Sequence, residues 1–219
     1  MIDIVIATRN RHKVRELKTL LAVPGVRWHD LTEFPGTPAV RETARTYDAN
    51  AIAKARVIAR ATGRLALADD SGLEVEALGG RPGVQSARFA GSHGDDQANN
   101  DKLLRLLAGT APGARRARYR CSLALVAPSG WTVLARGAWS GRIVGAPAGA
   151  RGFGYDPIFF VPRFGKTVGQ LPAAIKRQFS HRAVAARRMR STLSRLMVTG
   201  AGPRPAGSRG GRRGRARAA

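Results

Sequence analysis

The sequence predicts an α/β fold in which a mixed sheet is flanked by helices, and three observations carry that prediction. A short apolar run, Ile4-Val5-Ile6-Ala7, is followed after a polar loop by Val14, Leu17, Leu20 and Leu21 at helical spacing. A second stripe, Ala51, Ile52, Ala55, Ile58 and Ala59, ends at Gly63 and leads into another apolar run at 65–68. Strand and helix patterns that alternate in this way build a sheet with helices packed on it. Two long β-like segments, 117–126 and 131–139, are separated only by Pro128-Ser129-Gly130, so a hairpin adds antiparallel pairing.

Taken in order, the chain begins with a strand at 4–7, a polar loop at 8–13 and a first helix. A second helix is expected over 47–61, then a strand at 65–68 that ends in Asp69-Asp70 and a Ser71-Gly72 turn. Residues 73–76 continue extended, and the glycines and proline of 79–83 impose a loop because they break both periods. A third helix over 95–107 carries Leu103, Leu106 and Leu107, and the hairpin follows. The last helix spans 181–197, with Ser180 as its N-cap and Ala186, Met189, Leu193 and Leu196 facing inward. Residues 1–198 therefore read as one globular unit. Residues 199–219 contain almost nothing to bury and read as a disordered basic tail.

Charge narrows the partners. There are 38 Lys+Arg against 14 Asp+Glu, a formal net charge of +24. Asp156 is the last acid, and fifteen Lys or Arg follow it. Such asymmetry suits an anionic partner, and the tail could add a weak, salt-dependent contact with nucleic acid. The single Cys121 lies in an apolar run, so no intramolecular disulfide is possible and a buried thiol is expected. No apolar run approaches the ~20 residues of a membrane span, and the N-terminus lacks the pattern of a signal peptide, so a soluble cytoplasmic protein is expected. A serine hydrolase does not fit: Ser71 beside Asp70 and Ser180 beside His181 lack a nucleophile elbow. Zinc does not fit either, because His12, His29, His93, His181 and Cys121 show no paired ligand spacing.

Four segments carry possible chemistry. Thr8-Arg9-Asn10-Arg11-His12-Lys13 sits where the first strand gives way to a helix, and a helix N-terminus with Thr, Asn and Lys can cradle phosphate or simply be capped. Asp69 and Asp70 either hold a hard cation such as Mg²⁺ or close a local turn on their own backbone; in extended chain only one of them can face a given cleft. Gly152-Phe153-Gly154-Tyr155-Asp156-Pro157 could stack a planar base, or be loop architecture. Lys176 with Ser180-His181-Arg182 opens the last helix.

In their order these segments resemble the inosine triphosphate pyrophosphatase family. The marks are Thr8-x-Asn10-x-x-Lys13, Asp69-Asp70-Ser71-Gly72-Leu73, Leu78-Gly79-Gly80-Arg81-Pro82-Gly83 with Ser86-Ala87-Arg88, Gly152 to Pro157, and Ser180-His181-Arg182-x-x-Ala185. The resemblance implies a twisted mixed sheet in two lobes with a substrate cleft between them, a homodimer, and Mg²⁺-dependent hydrolysis of XTP, ITP and dITP to monophosphate and pyrophosphate. It further implies that Thr8, Arg9, Asn10, Arg11, His12 and Lys13 hold the triphosphate, that Asp70 is general base and Mg²⁺ contact, and that Ser71 touches the nucleotide. Phe153, Gly154, Tyr155, Asp156, Lys176, His181 and Arg182 would enclose the base, and Glu42 would be a second metal contact. The chain departs from the pattern at Ala49, Gln170, Ala174 and Ile175, where relatives usually carry acids. The expectation is retained activity with weaker metal affinity, helped by the neighbouring Asp48.

Overall fold

The computed structural model describes residues 1–199; the expected tail, apart from Thr199 in the last helix, lies outside the described residues. Seven strands form one sheet in the order β2-β1-β3-β4-β5-β6-β7. The strands are β1 (Ile2–Ile6), β2 (Val26–Asp30), β3 (Leu65–Val75), β4 (Arg116–Val126), β5 (Thr132–Ile143), β6 (Phe159–Val161) and β7 (Lys166–Thr167). β1 pairs in parallel with β2 and β3, and every pairing from β3 onward is antiparallel. The helices are α1 (Arg11–Leu20), α2 (Tyr47–Thr62), α3 (Asp96–Leu106), α4 (Ala173–Phe179) and α5 (His181–Thr199). The α/β class and the mixed sheet flanked by helices are as the sequence predicts.

The long strands β3, β4 and β5 span the molecule and carry separate cores at their two ends. At one end the small side chains of α2, among them Ala51, Ala55 and Ala59, pack on Val5, Ala66, Ala68 and Ala124. The opposite face there takes Leu17 and Leu21 of α1 and Ala186, Met189 and Leu193 of α5. At the other end Leu73, Tyr119, Trp139, Ile158 and Phe159 form a third cluster with Leu103 of α3. Of the leucines on the third helical segment, Leu103 and Leu107 are buried and Leu106 is 43% exposed.

Several elements differ from the sequence reading. Ser71-Gly72 is not a turn: β3 runs unbroken through it, laddered to Cys121 and Arg120 of β4. Gly72 is needed there for proximity. A Cβ at 72 would strike the Gly83 carbonyl and lie 2.6 Å from Ser86 Oγ, the hydroxyl that accepts from the Leu73 amide. Gly72→Ala is therefore expected to destabilise the fold by about 1–3 kcal/mol, the range for overpacking a close-packed site, as read by the urea midpoint at unchanged slope. Strand β2 alternates Val26 and Trp28 against polar partners at an edge, and its Arg27, His29 and Asp30 mask the apolar signal. Lys176 belongs not to the last helix but to the short α4, which ends at Ser180. Ser180 then caps α5 as expected, its Oγ accepting from the Ala183 amide at 3.1 Å. Among the described residues no helix is long and apolar enough to cross a membrane.

Candidate active site

The loop after β1 places its residues through ordinary helix-capping chemistry. Asn10 is the N-cap of α1, its Oδ1 accepting from the amides of His12 (3.0 Å) and Lys13 (3.1 Å). The cap and the cradle are thus compatible: the capped first turn directs Thr8, Arg9, Asn10 and Lys13 to a cleft of about 630 Å³. Arg9 is anchored by donating to the Thr37 carbonyl at 3.0 Å. Arg11 and His12 do not line this cleft; Arg11 is exposed, and the His12 ring lies against Phe153 instead.

Strand alternation separates the two adjacent acids. Asp69 is wholly buried between cations from α1 and α5, with Lys13 Nζ at 2.5 Å and Arg182 Nε at 3.0 Å. Ser71 Oγ and Cys121 Sγ also donate to it. Burial alone would raise its pKa, but Arg182 and Lys13 overcome that and hold it well below the usual carboxylate range. Cys121 is buried, as expected, and its thiol is pushed well up by burial and by Asp69.

Asp70 lines the cleft on the other face of the strand. Its Oδ1 lies 3.2 Å from Lys54 Nζ and its Oδ2 accepts from Asn50 Nδ2 at 3.1 Å. Lys54 Nζ also contacts Glu42 Oε1 at 2.6 Å and the Asp69 carbonyl at 2.7 Å. Burial raises the Asp70 pKa, and the nearby Glu42 charge adds to it, so Lys54 does not bring it back to the ordinary value. Lys54 itself stays a firm cation: burial opposes the charge, but Asp70 and Glu42 outweigh it.

Asp70 and Glu42 thus converge on one buried cation and both line the cleft, with Arg88 Nη1 3.7 Å from Glu42 Oε2, and a carboxylate has lone pairs beyond those these contacts use. Among the described residues no three His, Cys, Asp or Glu side chains gather as a metal cage. One or two carboxylates completed by substrate phosphates is the usual way Mg²⁺ is held, so the donor set present fits that ion. Asp48 does not replace the acid missing at Ala49. Its carboxylate is gripped by Arg136 (2.6–3.1 Å) and Ser122 on the sheet, and neither Asp48 nor Ala49 lines the cleft.

A second compartment continues from the first through Asn10, Lys13, Ser71 and His93. It is lined by Phe153, Gly154, Tyr155, Asp156, Lys176, His181 and Arg182, so the sequence-named base residues are gathered in one place. The Gly152–Pro157 turn is pinned from several directions. Asp156 Oδ2 accepts from the Phe153 amide (3.0 Å) and Lys176 Nζ (2.7 Å), and its Oδ1 takes the Tyr119 hydroxyl (3.2 Å). Asp96 Oδ2 accepts from the Gly154 amide at 2.6 Å, and Tyr155 donates to the Ser86 carbonyl. His181 is buried and stacked on Tyr119, ring centroids 4.6 Å apart at 10°. Burial and the adjacent Arg182 push its pKa well down, so it is a neutral ring whose Nδ1 has no partner among the described residues.

Residues absent from the sequence reading complete the wiring. Glu16 on α1 joins Lys176 (3.1 Å) to Arg182 (2.5 Å), tying the phosphate-side helix to the base-side cations. Lys54 and Asn50 had a legible signal: they are polar residues on the otherwise apolar stripe of α2. Glu16 had only a weak one, its i+3 spacing from Lys13.

The chain matches the model of the Ham1 family over residues 4–192. It is similar to a dITP/XTP pyrophosphatase of Desulforamulus reducens, 47% identical over 195 residues that make up 89% of this chain and 97% of that protein. A dITP/XTP pyrophosphatase of Geobacillus kaustophilus is 48% identical over 185 residues, 84% of this chain and 91% of that one. Among solved structures, a HAM1 protein from Coxiella burnetii superimposes with a TM-score of 0.83 at 38% identity, covering 89% of this chain and all of that one. The Staphylococcus aureus Ham1 protein gives 0.80 at 40% identity, covering 88% and 98%. With the same sheet, near full-length coverage in both directions and a family match from the first strand into the last helix, the chain belongs to the Ham1 family.

Proposed function

We propose that this chain hydrolyses the non-standard purine nucleoside triphosphates XTP, ITP and dITP to the nucleoside monophosphate and pyrophosphate, removing them from the cytoplasmic nucleotide pool. The observation that carries the reading is Asp70, a buried carboxylate of raised pKa that faces a cleft between a helix-capped Thr8/Asn10/Lys13 loop and an aromatic pocket. Thr8, Asn10 and Lys13 bind the triphosphate, and Asp70 takes a proton from the water that attacks the α-phosphate. Arg9 supports the loop from Thr37. Asp70 and Glu42 would hold Mg²⁺ with the substrate phosphates, and when bound that ion supplies charge neutralisation on the phosphate oxygens. Asp156, Lys176, His181 and Arg182 surround the base with Phe153 and Tyr155. A cationic donor facing C6 pairs with a keto oxygen and is left unpaired by the amino group of adenine, which costs about 1–3 kcal/mol or more for a charged donor.

A homodimer belongs to the same reading and is supported by the resemblance. The test of function is a panel of XTP, ITP, dITP, GTP and ATP with Mg²⁺, separating pyrophosphate from orthophosphate. Pyrophosphate from the first three, little from ATP, and loss of all turnover on adding EDTA are expected. Orthophosphate as the only inorganic product, or no turnover of any triphosphate, would overturn the proposal.

A further inference from the structure

We propose that His12 is a wall of the base site rather than a phosphate ligand: with nucleotide bound, the purine lies between the His12 imidazole and the Phe153 ring. The inference rests on the reading of the cleft as a purine nucleoside triphosphate site. It starts from a placement that the sequence did not suggest. His12 sits inside the Thr8–Lys13 loop, yet it is the ring of Phe153, 141 residues on, that it faces, with centroids 5.4 Å apart and planes 29° from parallel. Thr8, Arg9, Asn10 and Lys13 line the phosphate compartment; His12 lines neither that compartment nor the base compartment in this structure, its ring being closed on Phe153, which does line the base compartment.

Arg15, one turn further along α1, places Nη2 3.2 Å from His12 Nδ1, an edge contact that leaves the face of the imidazole to Phe153.

The two walls differ in rigidity, as an entry site requires. Phe153 is fixed by the Asp156 contact to its own amide and by the Asp96 and Asn100 contacts to the amide and carbonyl of Gly154. His12 is exposed, and among the described residues its side chain is held by Arg15 and the stack. Ring pairs attract over centroid separations of about 4.5–7 Å. To admit a third ring the imidazole has to swing away from Phe153, a movement open to an exposed side chain on a first helical turn. Two cations also lie over the Phe153 ring, Lys176 Nζ 4.3 Å and Arg182 5.8 Å from its centroid.

The stack is remote from the α-phosphate and equally strong in ground and transition states, so it acts on KM and not on kcat. The experiment is steady-state ITP hydrolysis with Mg²⁺ by the full chain and by His12→Ala, His12→Phe and His12→Lys. A second measurement is inhibition by inorganic tripolyphosphate, which has no base. His12→Ala should raise KM roughly 5- to 100-fold, the range of base–aromatic stacking, with kcat changed less than about threefold. His12→Phe should restore KM, His12→Lys should not, and tripolyphosphate inhibition should be the same in all four proteins. An unchanged KM in His12→Ala, rescue by Lys instead of Phe, or a parallel loss of tripolyphosphate inhibition would overturn the assignment. Failure of the unaltered chain to hydrolyse any triphosphate would remove the underlying reading and this one with it.

Discussion

Asp70→Asn is expected to lower kcat for ITP by about 10²–10⁴-fold, the range for loss of a positioned base, while leaving the fold as stable as before or slightly more so. The stability half of this expectation follows from the direction of the Asp70 shift. Its folded-state pKa is raised, chiefly by burial, so folding works against the ionised form that dominates at neutral pH. That cost is present at high pH and disappears as pH falls through the folded pKa. A neutral, isosteric amide removes it. Lys54 is not orphaned by the change, because Glu42 Oε1 at 2.6 Å and the Asp69 carbonyl at 2.7 Å remain.

The same shift sets the pH dependence of turnover. Asp70 accepts a proton only when ionised, so kcat/KM should fall on the acid side with a midpoint above the ~3.9 of an ordinary aspartate. Mg²⁺ beside the carboxylate favours its charged form and should draw that midpoint back down as the ion is raised. Paired measurements of kcat/KM against pH and of the unfolding midpoint check both halves. Retention of more than a tenth of kcat in Asp70→Asn, or a clear drop in its stability, would refute the role given to this residue.

What was legible in the sequence follows from how local each signal is. The α2 stripe, the hairpin and the Ser180 cap depend on spacing within one element, and all appear where expected. Ser71-Gly72 misled because glycine marks turns and close approaches alike. Here it is the Gly83–Ser86 segment, folding back on the strand, that demands the missing Cβ. Most of the residues expected to form the site line two adjoining compartments, yet several of their contacts were not legible from the motifs. Asn10 caps, Lys13 spans to Asp69, and His12 turns to the other lobe, because each contact depends on an element far along the chain. Glu16 and Asp96 passed unnoticed for the same reason. An acid on an amphipathic helix looks solvated until the fold brings Lys176, Arg182 or the Gly154 amide against it.

The neighbour of Asp70 should behave in the opposite way. Asp69→Asn is expected to cost about 3–5 kcal/mol at pH 7, the usual result of removing one partner from a buried ion pair. For a domain of this size that corresponds to a fall in Tm of roughly 6–20 °C. Asp69 is 0% exposed and stands between Lys13 and Arg182. Glu16 keeps part of the Arg182 charge compensated, which argues for the lower half of the range. The pH dependence distinguishes this loss from simple misfolding. The Asp69 pKa is depressed, because Arg182 and Lys13 outweigh its burial. Its stabilisation is therefore complete above the unfolded-state value near 3.9 and is lost as pH falls toward the depressed folded value. The difference in unfolding free energy between the unaltered chain and Asp69→Asn should be constant from pH 7 to about 5 and shrink below that. A difference that stays flat to the lowest pH at which both proteins fold would show that the carboxylate charge is not what Lys13 and Arg182 require. Two acids one residue apart thus have contributions of opposite sign: Asp69 stabilises the packing of α1 and α5 on the sheet through its charge, and Asp70 keeps a charge that the fold opposes and the proposed chemistry needs.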